Sequence, residues 1–295
     1  MKDYPILKGC GTALFTPFKK DGSVDYDTFA ANIDRQVEAG IHFLVPLGTT
    51  GETPALSTEE RIEILKIAKA HSKGRPVVVG GGTNNVPETL AAMQALEPFG
   101  PDVFLIVVPY YNKPPQEGIY QYFKAVAAST RKPILIYNVP GRTGSNIEAA
   151  TALRLAKDIP NIIGIKEASS RREQILADID GAPEGFSVLS GNDDETAPLM
   201  KAGASGVISV ASNVAPKQMV QLTEAFLAKD FAKADAIDAS LKDLYKNLFI
   251  ESNPIPGKAA MAQLGLMQNV LRLPLVPASA ETENLIAGTL KGLEL

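Results

Sequence analysis

Short apolar runs, each followed by a longer stretch of mixed polarity, recur along most of the chain. Runs of this length are typical of strands that are buried on both faces of a parallel sheet. Eight of them predict strands, over residues 11–15, 43–47, 77–80, 103–108, 134–137, 162–166, 187–189 and 206–210. Because parallel strands need long crossover connections, the stretches between the runs should contain helices.

The stretches between the runs carry apolar residues at helical spacing. The clearest of them predict helices over residues 26–39, 59–72, 87–99, 116–129 and 147–157, the second of which is preceded by a capping signal at Ser57 to Glu60. Eight strand–helix units of roughly 25–30 residues each favour a closed (β/α)8 TIM barrel over an open sheet. An open dinucleotide-binding sheet would carry a glycine-rich turn after its first strand, whereas this chain has Thr16, Pro17 and Phe18 there.

No further strand pattern follows the eighth unit. Residues 231–248 predict one long amphipathic helix, and helical spacing resumes after Pro256. We therefore expect a barrel over residues 1–226 and a C-terminal helical appendage over residues 227–295. Since no linker rich in Pro, Gly or Ser separates them, the appendage should pack on the barrel.

Composition narrows the class of protein. The 295 residues are 45% hydrophobic and 21% charged, with a formal net charge of -4, which gives no basic footprint for nucleic acid and no cationic stretch for a membrane surface. One cysteine, Cys10, excludes an internal disulfide and fits a reducing compartment, so we expect a cytoplasmic protein. Neither of the two histidines, His42 and His71, lies near another metal-ligating residue at the spacing of a known metal site.

The sixth apolar run ends on a lysine, within NIIGIKEASS at residues 161–170. Burying an ammonium group is costly unless its charge is paired or its pKa falls. Lys166 is therefore either half of an ion pair, with Glu167 as the candidate partner, or an amine nucleophile. If Lys166 points into the barrel, period-two alternation also points Gly164 and Ile162 inward, and the glycine should leave room for a small substrate. No carboxylate at the predicted inward positions would neutralise the amine.

Other strand ends carry groups that suit the same chemistry, because in this fold functional groups lie at the carboxyl ends of the strands. The turn at residues 48–52, GTTGE, could offer backbone N–H groups and hydroxyls to a small anion. Tyr137 could relay a proton, and Arg142 could clamp a carboxylate. Each feature alone could be a plain turn or a solvated side chain, but together with Lys166 they favour one shared site.

Seven segments carry a resemblance to a known family: GTTGE, PYYNKP, YNVPGRTG, IIGIKEAS, LSGND, GVISV and ESNPIPGK. In this order and spacing the chain resembles the dihydrodipicolinate synthase (4-hydroxy-tetrahydrodipicolinate synthase) family of pyruvate-dependent Schiff-base aldolases. The resemblance implies a lyase of lysine and diaminopimelate biosynthesis that condenses pyruvate with L-aspartate 4-semialdehyde. It also implies that no metal or other cofactor is required, and that the enzyme is a homotetramer of tight dimers.

The resemblance assigns a role to each matching catalytic residue. Lys166 matches the lysine that forms an imine with pyruvate. Tyr137, Thr49 and Tyr111 match a proton relay, in which Tyr111 crosses the tight dimer into the neighbouring site. An imine is a better electron sink than a ketone, so the lysine supplies the electrophilic activation.

The same resemblance implies the substrate-binding residues. Thr50 and neighbouring backbone amides would hold the pyruvate carboxylate, and Arg142 would receive the carboxylate of the second substrate. The remaining matches are Ile208, whose backbone would contact pyruvate, and Gly191, Asn192 and Asn253, near the acceptor.

A second site, for feedback by L-lysine, lies near the dimer interface in regulated relatives. Its matching positions are Thr53, Pro54, Thr58, Arg61, Asn84, Glu88 and Tyr110. Asn84, Glu88 and Tyr110 fit the regulated pattern. Arg61 stands where sensitive members tend to carry histidine or glutamate, and a guanidinium there would repel the ammonium of free lysine. We expect feedback to be weak or absent.

Two alternatives stay open from the sequence. One is another pyruvate-dependent Schiff-base aldolase, acting on a sugar acid or hydroxy-keto acid, against which YNVPGRTG and NPIP argue. The other is a barrel that has lost catalysis and serves in binding or assembly. The intact lysine, tyrosines, threonines and arginine argue against that second possibility.

Overall fold

Eight parallel strands form a barrel in the computed structural model, which describes residues 7–293. The strands are Gly9–Ala13 (β1), Phe43–Val45 (β2), Val78–Gly80 (β3), Val103–Val107 (β4), Ile134–Asn138 (β5), Ile162–Glu167 (β6), Ser187–Ser190 (β7) and Gly206–Ser209 (β8). Their hydrogen-bonded order is β2-β1-β8-β7-β6-β5-β4-β3, and a parallel bridge between Leu44 and Val77 joins the two ends. The predicted TIM barrel is confirmed.

Helices surround the barrel and form the C-terminal region. They are Tyr26–Glu38 (α1), Thr58–His71 (α2), Val86–Leu96 (α3), Gln116–Ala128 (α4), Pro140–Thr143 (α5), Ala149–Asp158 (α6), Arg172–Gly181 (α7), Thr196–Lys201 (α8), Pro216–Leu227 (α9), Phe231–Asn247 (α10), Ile255–Gln263 (α11) and Ala280–Gly292 (α12). Ser57 and Glu60 form the predicted capping box of α2. Between residues 7 and 293, none of the helices has the length and apolarity needed to span a membrane.

Two apolar cores follow from the alternation of side chains along each strand. The inner core fills the barrel with side chains such as Phe43, Leu105 and Leu189. The outer core lies between the strands and the helices. Because each fully buried large side chain contributes about 1.5–3 kcal/mol, both cores stabilise the barrel. The inner core also fills the space along the barrel axis.

The first strand begins two residues earlier than predicted. Gly9 and Cys10 pair with Gly206 and Val207 of β8. The Gly206 backbone lies so close to Gly9 that a Cβ on Gly206 would collide with the Gly9 carbonyl. The apolar pattern does not reveal this start, because the strand opens with residues selected for close backbone approach.

The C-terminal helices pack on the barrel rather than standing apart from it. Helix α10 contacts α8 and α9, and α11 contacts the turn that follows β8. Two side chains of this region reach the turn after β2: Asn253 donates to Thr50, and Lys258 pairs with Glu52. The boundary at residues 226/227 stays a prediction, and it falls at the end of α9.

Candidate active site

Lys166 and Tyr137 lie side by side at the carboxyl end of the barrel. They are register partners on β6 and β5. Lys166 is 7% exposed, and its Nζ lies 4.3 Å from the centroid of the Tyr137 ring. An amine and a phenol are thereby brought together in a largely water-excluded space, which suits proton transfer around a lysine nucleophile.

Glu167 is not the partner of Lys166. Its side chain lies on the other face of β6, where both oxygens accept from Asn138 Nδ2 at 3.1 Å. Further bonds come from Ser169 N at 2.9 Å and Gln174 Nε2 at 3.0 Å. The ion-pair interpretation of Lys166 with Glu167 is therefore wrong, and alternation along the strand is the reason.

Two expectations about β6 are also wrong. A register irregularity shifts the pairing from Ile134–Ile162 to Leu135–Gly164, so alternation breaks and Ile163, not Ile162, enters the inner core. The position above Gly164 is not open either, because a Cβ there would collide with the Ser187 carbonyl. The glycine serves close approach of β7 and does not make room for a substrate.

Asp193 is an acidic group near the lysine that sequence reasoning missed. It lies after β7 and is 2% exposed, and its Oδ2 accepts from Val210 N at 3.0 Å and Ala211 N at 2.9 Å. Burial raises the pKa of Asp193, while these hydrogen bonds and the charge of Lys166 oppose the rise. The run of acidic residues at 193–195 was the available signal. Asp193 holds the end of β8 beside the lysine.

The turn after β2 is tighter than expected for an open anion site. Thr49–Gly51 form a short 3-10 helix, in which Gly51 N donates to Gly48 O and Glu52 N donates to Thr49 O, both at 3.1 Å. These two amides are thus used inside the turn. Thr50 is buried and its Oγ1 accepts from Asn253 Nδ2 at 2.9 Å, whereas Thr49 is exposed at the rim.

A second buried lysine lies beneath this turn. Lys258 Nζ lies 2.5 Å from a Glu52 oxygen and donates to Val270 O at 2.9 Å. Burial lowers the pKa of Lys258 to about 8, against the effect of Glu52. Glu52 has a left-handed backbone with φ 53°, a strained conformation for a residue with a side chain. The pair anchors the turn to α11. The fully buried Nζ of Lys258 is not available to a substrate.

Arg142 and Tyr111 lie at the rim. Arg142 is exposed on α5, and its Nη2 donates to Asn253 O at 3.3 Å. Tyr111 is 86% exposed with φ 72°, and its N–H donates to Thr143 O, next to Arg142. The Tyr111 side chain therefore projects away from the barrel that carries it.

The positions matched to the acceptor substrate are partly occupied by internal contacts. Gly191 N donates to Glu167 O at 2.7 Å, and Asn192 Nδ2 donates to Glu195 at 2.7 Å. Ile208 is 1% exposed within the inner core. The structure brings these residues to the same end of the barrel as Lys166.

A cavity of about 370 Å³ opens beside Tyr137. Its lining joins Thr49, Tyr137 and Arg142 to Arg61 and Tyr110. Lys166 is not among the described residues that line it.

Thr53 and Pro54 also line the cavity, whereas Asn84, Glu88 and Thr58 are not part of its lining. The positions that the sequence matches to a regulatory site therefore fall into two groups, one of which shares a cavity with Thr49 and Tyr137.

The histidines take structural roles. His42 Nδ1 accepts from Cys10 N at 3.1 Å, and His71 Nδ1 lies 3.1 Å from Asp34. Across residues 7–293, no group of three or more His, Cys, Asp or Glu side chains is placed to hold a metal ion.

Comparison with known proteins identifies close relatives. Residues 6–293 match the model of the dihydrodipicolinate synthetase family. The 4-hydroxy-tetrahydrodipicolinate synthase of Thermotoga neapolitana is 46% identical over 97% of this chain and 98% of its own. The crystal structure of dihydrodipicolinate synthase from Thermotoga maritima has a TM-score of 0.96 at 44% identity, covering 99% of this chain and 100% of that one. The chloride-inhibited enzyme of Acinetobacter baumannii, solved with pyruvate, has a TM-score of 0.94 at 40% identity, covering 97% and 99%.

Proposed function

The chain belongs to the dihydrodipicolinate synthetase family, and we propose that it is a 4-hydroxy-tetrahydrodipicolinate synthase that condenses pyruvate with L-aspartate 4-semialdehyde on Lys166. The observation that carries the proposal is the burial of the Lys166 amine without a carboxylate partner at Glu167. Its Nζ is buried beside the Tyr137 ring, and the adjacent Glu167 is turned to the other face of the strand. Because Lys166 makes no ion pair with Glu167, its buried amine suits imine formation.

Imine formation needs a neutral amine and a fixed substrate. The Lys166 nitrogen attacks the ketone carbon of pyruvate, and the resulting carbinolamine loses water as protons pass through Tyr137. Asn253 donates to Thr50 Oγ1, so the hydroxyl hydrogen of Thr50 is free to point elsewhere, and we place the pyruvate carboxylate on it. Because the amides of Gly51 and Glu52 are used inside the turn, Thr49 and Thr50 supply the remaining donors.

Carbon–carbon bond formation follows from the imine. The iminium accepts the electron pair that remains when a proton leaves the pyruvate methyl group, which gives an enamine. The enamine carbon attacks the aldehyde carbon of the semialdehyde, whose oxygen takes up a proton. Arg142 would hold the carboxylate of the semialdehyde at the rim, since its guanidinium is exposed there and fixed by Asn253 O. The amino group of the former semialdehyde then attacks the imine carbon and closes the ring. The bond from that carbon to Lys166 Nζ breaks, and the lysine nitrogen takes up a proton as it leaves.

The proton relay is incomplete in one chain. Tyr111 is exposed and lies outside its own barrel, so we propose that it completes the Thr49–Tyr137 relay of a neighbouring copy within a homotetramer of tight dimers. We also propose a cytoplasmic location, in keeping with one buried cysteine and a biosynthetic reaction.

Borohydride reduction in the presence of pyruvate tests the proposed nucleophile. Reduction should add one reduced pyruvate to the peptide that contains Lys166, as detected by mass spectrometry, and Lys166→Ala protein should gain none. Lys258 is the natural internal control, because its buried Nζ should stay unmodified. Modification at another lysine, or none in folded protein, would refute the assignment.

A further inference from the structure

A cluster of polar groups lies behind the reacting pair, on the outer face of the barrel. Because strand residues alternate, Asn138 and Glu167 follow Tyr137 and Lys166 directly but point toward the helices. Asn138 Nδ2 bonds both oxygens of Glu167 across the two strands. These bonds join β5 to β6 at the residue after each reacting group, and they oppose slippage of one strand along the other.

Helix α7 supplies the other side of the cluster. Gln174 Nε2 donates to Glu167 Oε2 at 3.0 Å, and Asp178, one helical turn further on, also faces Glu167. Asp178 is fully buried, and neither of its oxygens accepts a hydrogen bond from a donor in residues 7–293. A buried carboxylate without a donor is costly.

A single proton on Asp178 would supply the missing hydrogen bond between the two carboxyl groups. If Asp178 is protonated, its hydroxyl donates to Glu167, and Glu167 stays the acceptor for Asn138, Ser169 and Gln174. Burial, followed by the charge of Glu167, raises the pKa of Asp178 to about 8. Within the described chain, Glu167 is the charged group that acts on Asp178.

We propose that Asn138, Glu167 and protonated Asp178 form a positioning cluster that holds Lys166 and Tyr137 in register for imine formation. None of the three touches the reacting atoms, so they act through the strands that carry the amine and the phenol. The inference rests on the proposed function, since it concerns the geometry of the same lysine. A displacement of about 1 Å at a reacting group can cost on the order of 100-fold in rate.

Two substitutions of Asp178 test whether it acts as a hydrogen-bond donor or only fills buried space. Asp178→Asn keeps a donor toward Glu167 at every pH, so its imine formation at neutral pH should match the wild type within about twofold. Asp178→Leu fills the space without a donor and should slow imine formation on the order of tenfold. The effect should fall on the rate constant and leave the KM for pyruvate nearly unchanged, because Thr50 and Asn253 are untouched. Asp180→Asn, an exposed change on the same helix, is the matched control.

The pH profile supplies a readout that a purely structural role would not move. Above about pH 8 the wild type should lose the Asp178 proton, whereas Asp178→Asn cannot. The ratio of the wild-type rate to the Asp178→Asn rate should therefore fall from near one at about pH 7 to about one-tenth at about pH 9. The protonated fraction of Asp178 falls about tenfold between one pH unit below its pKa and one pH unit above it.

The deciding experiment is the rate of pyruvate trapping at Lys166, measured by borohydride quench and mass spectrometry in the four proteins across this pH range. A falling ratio for Asp178→Asn with a flat ratio for Asp180→Asn supports the cluster. Parallel profiles, or Asp178→Leu protein that is folded and traps pyruvate as fast as the wild type, would overturn it. If Asp178→Leu does not fold, the Asp178→Asn ratio alone decides. Wild-type protein that traps no pyruvate would overturn the proposed function, and this inference with it.

Discussion

Replacing Lys258 by methionine should destabilise the protein far more than replacing a surface lysine. Lys258 and Glu52 form an ion pair of 2.5 Å in which the side chains are 0% and 1% exposed. Methionine keeps most of the aliphatic stem but removes the ammonium, so Glu52 retains the Arg272 amide, at 3.1 Å, as its described donor. Breaking a buried pair on one side leaves an uncompensated charge and costs about 3–5 kcal/mol.

The surface pair of Lys201 and Asp235 provides the matched control. Its atoms lie 2.7 Å apart, but its side chains are 43% and 51% exposed. Water already screens such a pair, so Lys201→Met should cost about 1 kcal/mol or less. Urea denaturation of the two variants, at the same protein concentration, gives the two free energies of unfolding.

A double variant distinguishes a lost charge from lost packing. Glu52→Leu combined with Lys258→Met removes both charges, so it should be less destabilised than Lys258→Met alone. The KM for pyruvate should rise in Lys258→Met, because Glu52 directly follows the turn that carries Thr50. The reasoning is refuted if Lys258→Met costs no more than Lys201→Met, or if the double variant is less stable than Lys258→Met alone.

Three further predictions concern the substrates and feedback. Asn253→Ala removes the donor to Thr50 Oγ1, a hydrogen bond worth about 1 kcal/mol. The KM for pyruvate in steady-state assays should therefore rise roughly fivefold. An unchanged KM would contradict the placement of the pyruvate carboxylate on Thr50. Arg142→Lys loses the planar fork and should raise the KM for the semialdehyde about tenfold or more, while equal effects on both substrates would argue against its role. L-lysine at about 1 mM should leave most activity intact, because the Arg61 guanidinium repels an ammonium. Arg61→Gln should be inhibited by L-lysine more strongly than the wild type. Inhibition of the wild type at micromolar concentration would contradict this prediction.

The barrel could be predicted because its signals are local. Each strand is a short apolar run, and each crossover carries helical spacing, so the order of elements follows from the chain alone. The pairing of Lys166 with Tyr137 follows as well, since both residues lie near the ends of neighbouring parallel strands. Their adjacency at one rim is a property of the fold rather than of either segment.

The details that sequence reasoning missed depend on distant parts of the chain. The irregularity in β6 arises from its pairing with β5, and the close packing of Gly164 arises from β7. Lys258 pairs with a glutamate some two hundred residues earlier. A charged residue among the apolar residues of α11 was a visible signal, but it does not identify the partner. Asp178 becomes informative only when α7 is packed on β6.

The most direct test of the central claim is turnover of L-aspartate 4-semialdehyde with pyruvate, coupled to a reductase and followed as loss of NADPH. The wild type should turn over only when both substrates are present, and Lys166→Ala should abolish turnover in a protein that still folds. Turnover that survives in Lys166→Ala would contradict the role of the lysine. No turnover by folded wild type that still traps pyruvate would contradict the acceptor and favour an aldolase with a different aldehyde.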